Sequence, residues 1–287
     1  MEDFFAVEPY ATFRDMFDVY SVTAVSKNNI LSGETALESV FGEGTEINGD
    51  LAKAVTYARK AVNNLDEALI LALVNKNKYA GTCHFFPYSG SDDFGNGLSV
   101  AFCTMEANKE SRRATLNHEA GGHGFAKLED EYGYSNKGTI SAAEIESHII
   151  ASKNGWWKNV DFTSDPTRVK WAKYLEDSRY RYDGLGVFEG GCTYWSGVWR
   201  PTENSIMRYN TGGFNAPSRE AIWYRLHKLA YGDEWTYDYE EFVAYDAVNR
   251  KTSAAVSGGA YSPQRQYGPT HPPVAVGKTW QEAMSGK

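Results

Sequence analysis

Within the stretch Leu116-Asn-His-Glu-Ala-Gly-Gly-His-Gly-Phe125, two histidines, His118 and His123, bracket Glu119 and a pair of glycines. Imidazole is a common nitrogen ligand of zinc, and a glutamate beside the first of two helix-borne histidines can serve as a base toward water. In the short form of such a motif the histidines stand four residues apart and share one helix face. Here they stand five apart, which on a regular α-helix turns the rings about 140° away from each other. Gly121 and Gly122 offer a way out, because an inserted residue can be absorbed as a one-turn π-bulge, a distortion frequent at functional sites. The sequence therefore predicts a bulge over Ala120 to Gly122, with Zn2+ held by His118 and His123 and with Glu119 as general base. A catalytic zinc needs a third protein ligand and an open position, and Asp130 and Glu131 are both candidates after a chain reversal. Two histidines with acids nearby are just as commonly ordinary polar residues, so this motif alone decides little.

The elements around it can be read from periodicity. Residues 17 to 26 are rich in β-branched side chains and predict a first strand. Gly49 to Asn63 spaces Leu51, Ala54, Val55, Ala58 and Val62 as a helix, with Asp50 placed to cap it. Ala68 to Asn75, Tyr79 to Tyr88 and Leu98 to Met105 predict strands, and Glu110 to about Leu128 a helix that carries the histidines. Ser141 to Lys153, Pro166 to Leu175, Ser218 to Tyr231 and Tyr239 to Asn249 predict further helices. Between Asp183 and Thr211 the Gly- and aromatic-rich chain reads as turns and short strands. From Lys251 on, Ser, Gly, Pro and Gln dominate without a period, so 251–287 is expected to be a loosely structured C-terminal extension of a catalytic domain spanning 1–250.

Bulk properties narrow the classes. The chain has 287 residues, 42% of them apolar, enough for a sizeable core. A net charge of −8 gives no basic footprint for nucleic acid or an anionic membrane. The longest apolar run, Ala68 to Val74, is far short of a membrane span. Cys83, Cys103 and Cys192 match no zinc-finger spacing and read as buried thiols. His84, His148, His227 and His271 have no ligand spacing. Arg200 and Arg219 could pair with Asp130, Glu131 or a substrate carboxylate, although surface arginines usually do less.

Two longer strings add specificity. The run from His118 to Tyr132, ending Leu-Glu-Asp-Glu-Tyr, resembles the signature of the bacterial IgA-peptidase family of zinc metallopeptidases. The similarity continues through Gly190 to Tyr209 and Phe214 to Ile222, over most of the chain from about residue 5 to 250. The resemblance implies an α/β (α+β) fold of metzincin type. Its parts would be a twisted mixed sheet with a backing helix and the active-site helix in an upper lobe (about 1–130), and a lower lobe (about 131–250) with a Met-turn at Ser205-Ile-Met-Arg-Tyr209. It also implies His118, His123 and Asp130 as zinc ligands, Glu119 as base and Tyr209 as a stabiliser of the oxyanion, although a lone methionine such as Met207 is usually core filler. The implied substrate is a protein or peptide lying extended along an edge strand. The implied setting is secreted or at the cell envelope, with a signal and an N-terminal domain outside this chain. The competing expectation is an inactive scaffold of the same fold that binds protein or glycan.

Overall fold

The computed structural model describes residues 1–31, 34–87, 94–252 and 268–285. A four-stranded sheet has the order β3 (Leu69–Val74), β5 (Ser99–Thr104), β4 (Gly81–Phe85), β9 (Val274–Ala275); β3 runs parallel to β5, β4 antiparallel to β5, and β9 parallel to β4. Strand alternation divides its side chains between two cores. Leu98, Val100 and Phe102 join Ala54 and Val55 of α1 (Leu51–Ala58) on one face. Cys83, Phe85, Ala101 and Cys103 join Leu116, Ala120 and Phe125 on the other. Helix α1 starts where expected, with the Asp50 side chain accepting from Lys53 N at 2.9 Å.

The small pair β1 (Val40–Phe41) and β2 (Ile47–Asn48) precedes α1. After the sheet, α2 (Lys109–Leu116) leads directly into a π-helix, Asn117–Phe125, packed across the inner face of the sheet. A second sheet, order β6 (Gly133–Thr139), β8 (Thr193–Thr202), β7 (Leu185–Gly191), follows with α3 (Ala142–Ser152) and α4 (Ala172–Glu176). Then come α5 (Ile206–Tyr209), α6 (Ala216–Tyr231), α7 (Tyr239–Asp246) and, after β9, α8 (Trp280–Ser285). A third core of Trp171, Tyr174, Tyr180, Trp223 and Phe242 ties α4, α6 and α7 together. The class is mixed α+β, and no helix among the described residues is long and apolar enough to cross a membrane.

Three expectations change. Residues 17–26 form no strand: Val19, Tyr20 and Val25 are exposed, and no neighbouring strand pairs with them, so their β-branched content has neither ladder nor core to join. The helix expected over Pro166 to Leu175 is confined to Ala172–Glu176, behind a series of turns. The expectation of a loose tail lies, for 253–267, outside the described residues, but beyond them β9 pairs with β4, and Val276, Trp280, Ala283 and Met284 pack on the α1 side of the sheet. Main-chain pairing leaves no trace in composition, which is why a Ser/Gly/Pro/Gln count missed it.

The π-helix extends well beyond the bulge expected at 120–122. All nine of its residues are buried, and its end is closed by Ala126 N donating to Gly121 O at 3.0 Å and Leu128 N to Gly122 O at 2.9 Å. It fits only because glycines remove side chains where neighbours press in. A Cβ on Gly122 would lie 2.2 Å from Met207 Sδ, and Met207, fully buried, has no solvent to swing into. Gly122→Ala is expected to cost about 1–3 kcal/mol as an overpacked core site. Urea denaturation should show that cost shrinking when Met207→Ala is added, and equal costs in both backgrounds would contradict the contact. The buried Arg219 guanidinium pairs with Asp246 through two bonds of 2.6 and 2.8 Å. Arg219→Met strands that carboxylate, and the same denaturation should register a loss of about 3–5 kcal/mol.

Candidate metal centre

Widening the helix to i→i+5 bonding returns residues five apart to one face. The His118 and His123 rings accordingly meet, with centroids 4.6 Å apart. Each ring is held by a main-chain oxygen: Nδ1 of His118 lies 2.8 Å from Ile206 O, and Nδ1 of His123 lies 2.7 Å from Leu128 O. A carbonyl can only accept, so each Nδ1 carries a proton, and Nε2, which has a lone pair when the ring is neutral, is the atom left to a metal.

Both Nε2 atoms lie 3.2 Å from the same oxygen, Asp130 Oδ1. No hydrogen bond is aligned there: the two Nε2 atoms and both Asp130 oxygens have no hydrogen-bond partner, although all three side chains are fully buried. Burial pushes the Asp130 carboxyl up, but the adjacent imidazoles outweigh it and hold it at about 2. Burial likewise pushes His123 down, yet Asp130 and Glu119 carry it up to about 9, so below that pH its Nε2 holds a proton that a bound metal ion displaces. Unpartnered donor atoms aimed at one point in a dry interior are costly unless a cation joins them. Two imidazoles and a carboxylate form a set suited to zinc chemistry, and the residues present fit a metal ion.

Asp130 is placed by its main chain. Cys192 N donates to Asp130 O at 2.8 Å and Thr193 N to Tyr132 O at 3.0 Å, while Glu131 N donates to Met207 O at 2.9 Å from the other side. Cys192 and Thr193 form the two-residue turn between β7 and β8, and both have positive φ, 50° and 66°, in a position that favours Asn-Gly. That strain is sited where the hairpin grips Asp130. In the extended run 130–132, consecutive side chains diverge, which separates the two candidate acids. Glu131 faces away and is fully satisfied, accepting from Ser205 Oγ at 2.6 Å and from Asn159 and Asn215 Nδ2, each at 2.9 Å.

Glu119 lies beside the histidines with both carboxylate oxygens unpartnered. Burial raises its pKa, opposed by the neighbouring imidazoles. Room for it is made by Gly81 on β4, where a Cβ would come within 2.6 Å of Glu119 Cγ. Met207 packs against Gly122, under the segment between the two histidines.

Other sequence candidates fall elsewhere. Tyr209 carries the Arg208 guanidinium 4.4 Å above its ring, and among the described residues its hydroxyl makes no hydrogen bond to Nε2 of either histidine or to Glu119. The tyrosine beside Asp130 is Tyr132, buried, its hydroxyl donating to Thr270 O at 3.0 Å; it stood inside the motif string without a role being read for it. Arg200 bonds the main-chain oxygens of Thr202 and Gly190, and Arg219 pairs with Asp246, so neither pairs with Asp130 or Glu131. The three cysteines are free and buried. His84 contacts Asn48, and His148 pairs with Glu129 at 3.1 Å. Glu129, His148 and Cys192 form a second group of potential ligands, but both Glu129 oxygens already have partners, Asp130 N and His148.

No curated protein matches the chain. A family model described as IgA Peptidase M64 matches residues 1–182, a stretch that includes the π-helix, Asp130 and Tyr132 but ends before Met207. With well over half its length covered by that model, and with a potential metal site inside the matched region, this chain belongs to the IgA peptidase family M64 of metallopeptidases.

Proposed function

We propose that the chain is a zinc-dependent endopeptidase acting on extended protein or peptide substrates, with His118 Nε2, His123 Nε2 and the Asp130 carboxylate as ligands and Glu119 as general base. The observation that carries this reading is the convergence of two imidazole Nε2 atoms and a carboxylate, all fully buried and without hydrogen-bond partners, beside a second carboxylate that also lacks partners. A zinc ion in that position supplies Lewis-acid polarisation of a carbonyl and acidifies water. Glu119 has two free acceptor atoms with which to take a proton from water and pass it to a leaving amine. Main-chain bonds hold both rings, and the dry surroundings strengthen each charge interaction.

In the same reading the sheet, α1 and the π-helix form the upper lobe, about 1–130, and residues about 131–250 the lower lobe of a metzincin-like domain. The Ser205–Tyr209 segment, the short helix α5 and its N-cap, then acts as its Met-turn, supported by the contact of Met207 with Gly122 and by the Ile206 carbonyl on His118. A secreted or cell-envelope setting belongs to the same proposal.

Purified protein equilibrated with zinc and then dialysed should retain one ion per chain and cleave a denatured, alkylated protein in a chelator-sensitive way. Metal without cleavage would point to the inactive scaffold, and absence of both would sink the proposal. Glu119→Gln should keep the ion and lose about 10²–10⁴-fold or more in kcat, whereas His118→Ala, His123→Ala and Asp130→Ala should each lose the ion. For the oxyanion, Tyr209→Phe and Tyr132→Phe are to be compared by kcat at unchanged metal content. A loss confined to Tyr209→Phe supports the Met-turn tyrosine, and a loss confined to Tyr132→Phe moves that role to the side chain beside Asp130.

A further inference from the structure

The edge of β4 that faces away from β5 is taken by residues of the chain's own C-terminal part. β9 pairs with it through His84↔Val274 and Phe85↔Ala275, and Val276 N donates to Phe85 O at 2.7 Å. Upstream, His271 N donates to Gly81 O at 3.3 Å, Tyr79 hydroxyl to Gly268 O at 2.7 Å, and Tyr132 hydroxyl to Thr270 O at 3.0 Å. Thr270 is 1% exposed and its side chain lies next to Glu119. His118, Glu119, His123 and Asp130 are all at 0% exposure, so an outside peptide cannot bring a carbonyl to them in this arrangement, and Thr270 of the segment is among the residues that cover Glu119.

Resting on the peptidase reading above, we propose that residues 268–276 are an occluding strand seated in the groove that an extended peptide substrate occupies, so that substrate must displace them. Every hydrogen bond just described is made to the segment's main chain. Such a groove recognises extended backbone rather than particular side chains, which is how strand addition binds varied peptides. A sheet edge accepts one strand at a time, so the segment and a substrate exclude each other. The hold is local: within 268–276 only Thr270 is buried, Val274 and Ala275 are exposed, and the anchor beyond them is the half-buried packing of Val276, Trp280, Ala283 and Met284, with Trp280 Nε1 donating to Asp66 at 2.9 Å. A contact of that kind opens without global unfolding, and apparent affinity for substrate falls by the fraction of molecules that are open.

The test uses the whole 287-residue chain loaded with zinc. Val276→Pro removes the amide that donates to Phe85, and Trp280→Ala loosens the anchor without touching the strand. It also serves if the proline variant does not fold. All three proteins are compared for zinc stoichiometry, for the rate at which EDTA extracts the ion, and for cleavage of denatured, alkylated albumin. The expected result is one zinc in each, with extraction and kcat/KM both faster in the two variants, by about five- to tenfold for the main-chain bond lost in Val276→Pro. Unchanged or slower rates at full zinc content would overturn the occluding strand and leave the peptidase reading intact. Faster extraction with no cleavage by any of the three would keep the strand as a cover and overturn the peptidase reading, and no zinc in the unaltered chain would overturn that reading together with the strand's role.

Discussion

Two imidazoles that must reach one point are separated by four residues, and an α-helix can bring them together only by ceasing to be one. The π-helix over Asn117–Phe125 answers that requirement, and its neighbours are arranged to make it tolerable. A wide helix forms poorly on its own and occurs mostly as single turns. Here it is enclosed by the inner face of the sheet, by Met207 and Phe214, and by Tyr10, whose hydroxyl donates to Gly121 O at 2.7 Å. The glycines contribute by absence: sheet, methionine and aromatic ring approach the backbone at distances a methyl group would forbid.

From that helix the geometry propagates outward through main-chain atoms. Ile206 O and Leu128 O set the imidazole tautomers, while the β7–β8 turn and Met207 O grip the 130–132 run from opposite sides. Glu131 completes the frame. Its carboxylate joins Ser205, Asn159 and Asn215, and Asn215 at the same time caps α6 by accepting from Ser218 N. The pieces that position the site therefore come from distant parts of the chain and are locked by buried polar contacts, which fix one arrangement when all are satisfied. Asp130 and Glu119, whose oxygens lack partners, are the exceptions in this frame, and they sit where a positive charge and a reacting proton would be handled.

The legibility of the sequence followed from how local each signal was. His118, Glu119 and His123 could be singled out because types and spacing lie within six residues, and the glycines between them already argued for a widened helix. Strands β3, β4 and β5 of the main sheet were readable as short segments between turns, and β4 and β5 are buried throughout. The choice between Asp130 and Glu131 was not readable from spacing, because it depends on which way an extended residue points once the β7–β8 turn and Met207 have gripped its backbone. Residues 17–26 misled because β-branched content marks a strand only when an edge is available to it. The pairing of β9 was invisible for the opposite reason, since an edge was available and the bonds that use it are main-chain. Tyr132 escaped notice because its neighbour Thr270 is 138 positions away.

The account stands on the claim that the widened helix delivers both histidines and Asp130 to a single cation. Crystals grown with zinc and measured on both sides of the zinc absorption edge test it most directly. One anomalous peak is expected, about 2.0–2.2 Å from His118 Nε2, His123 Nε2 and an Asp130 carboxylate oxygen. A peak bound by only one of the histidines, or zinc found only away from the π-helix, would contradict it.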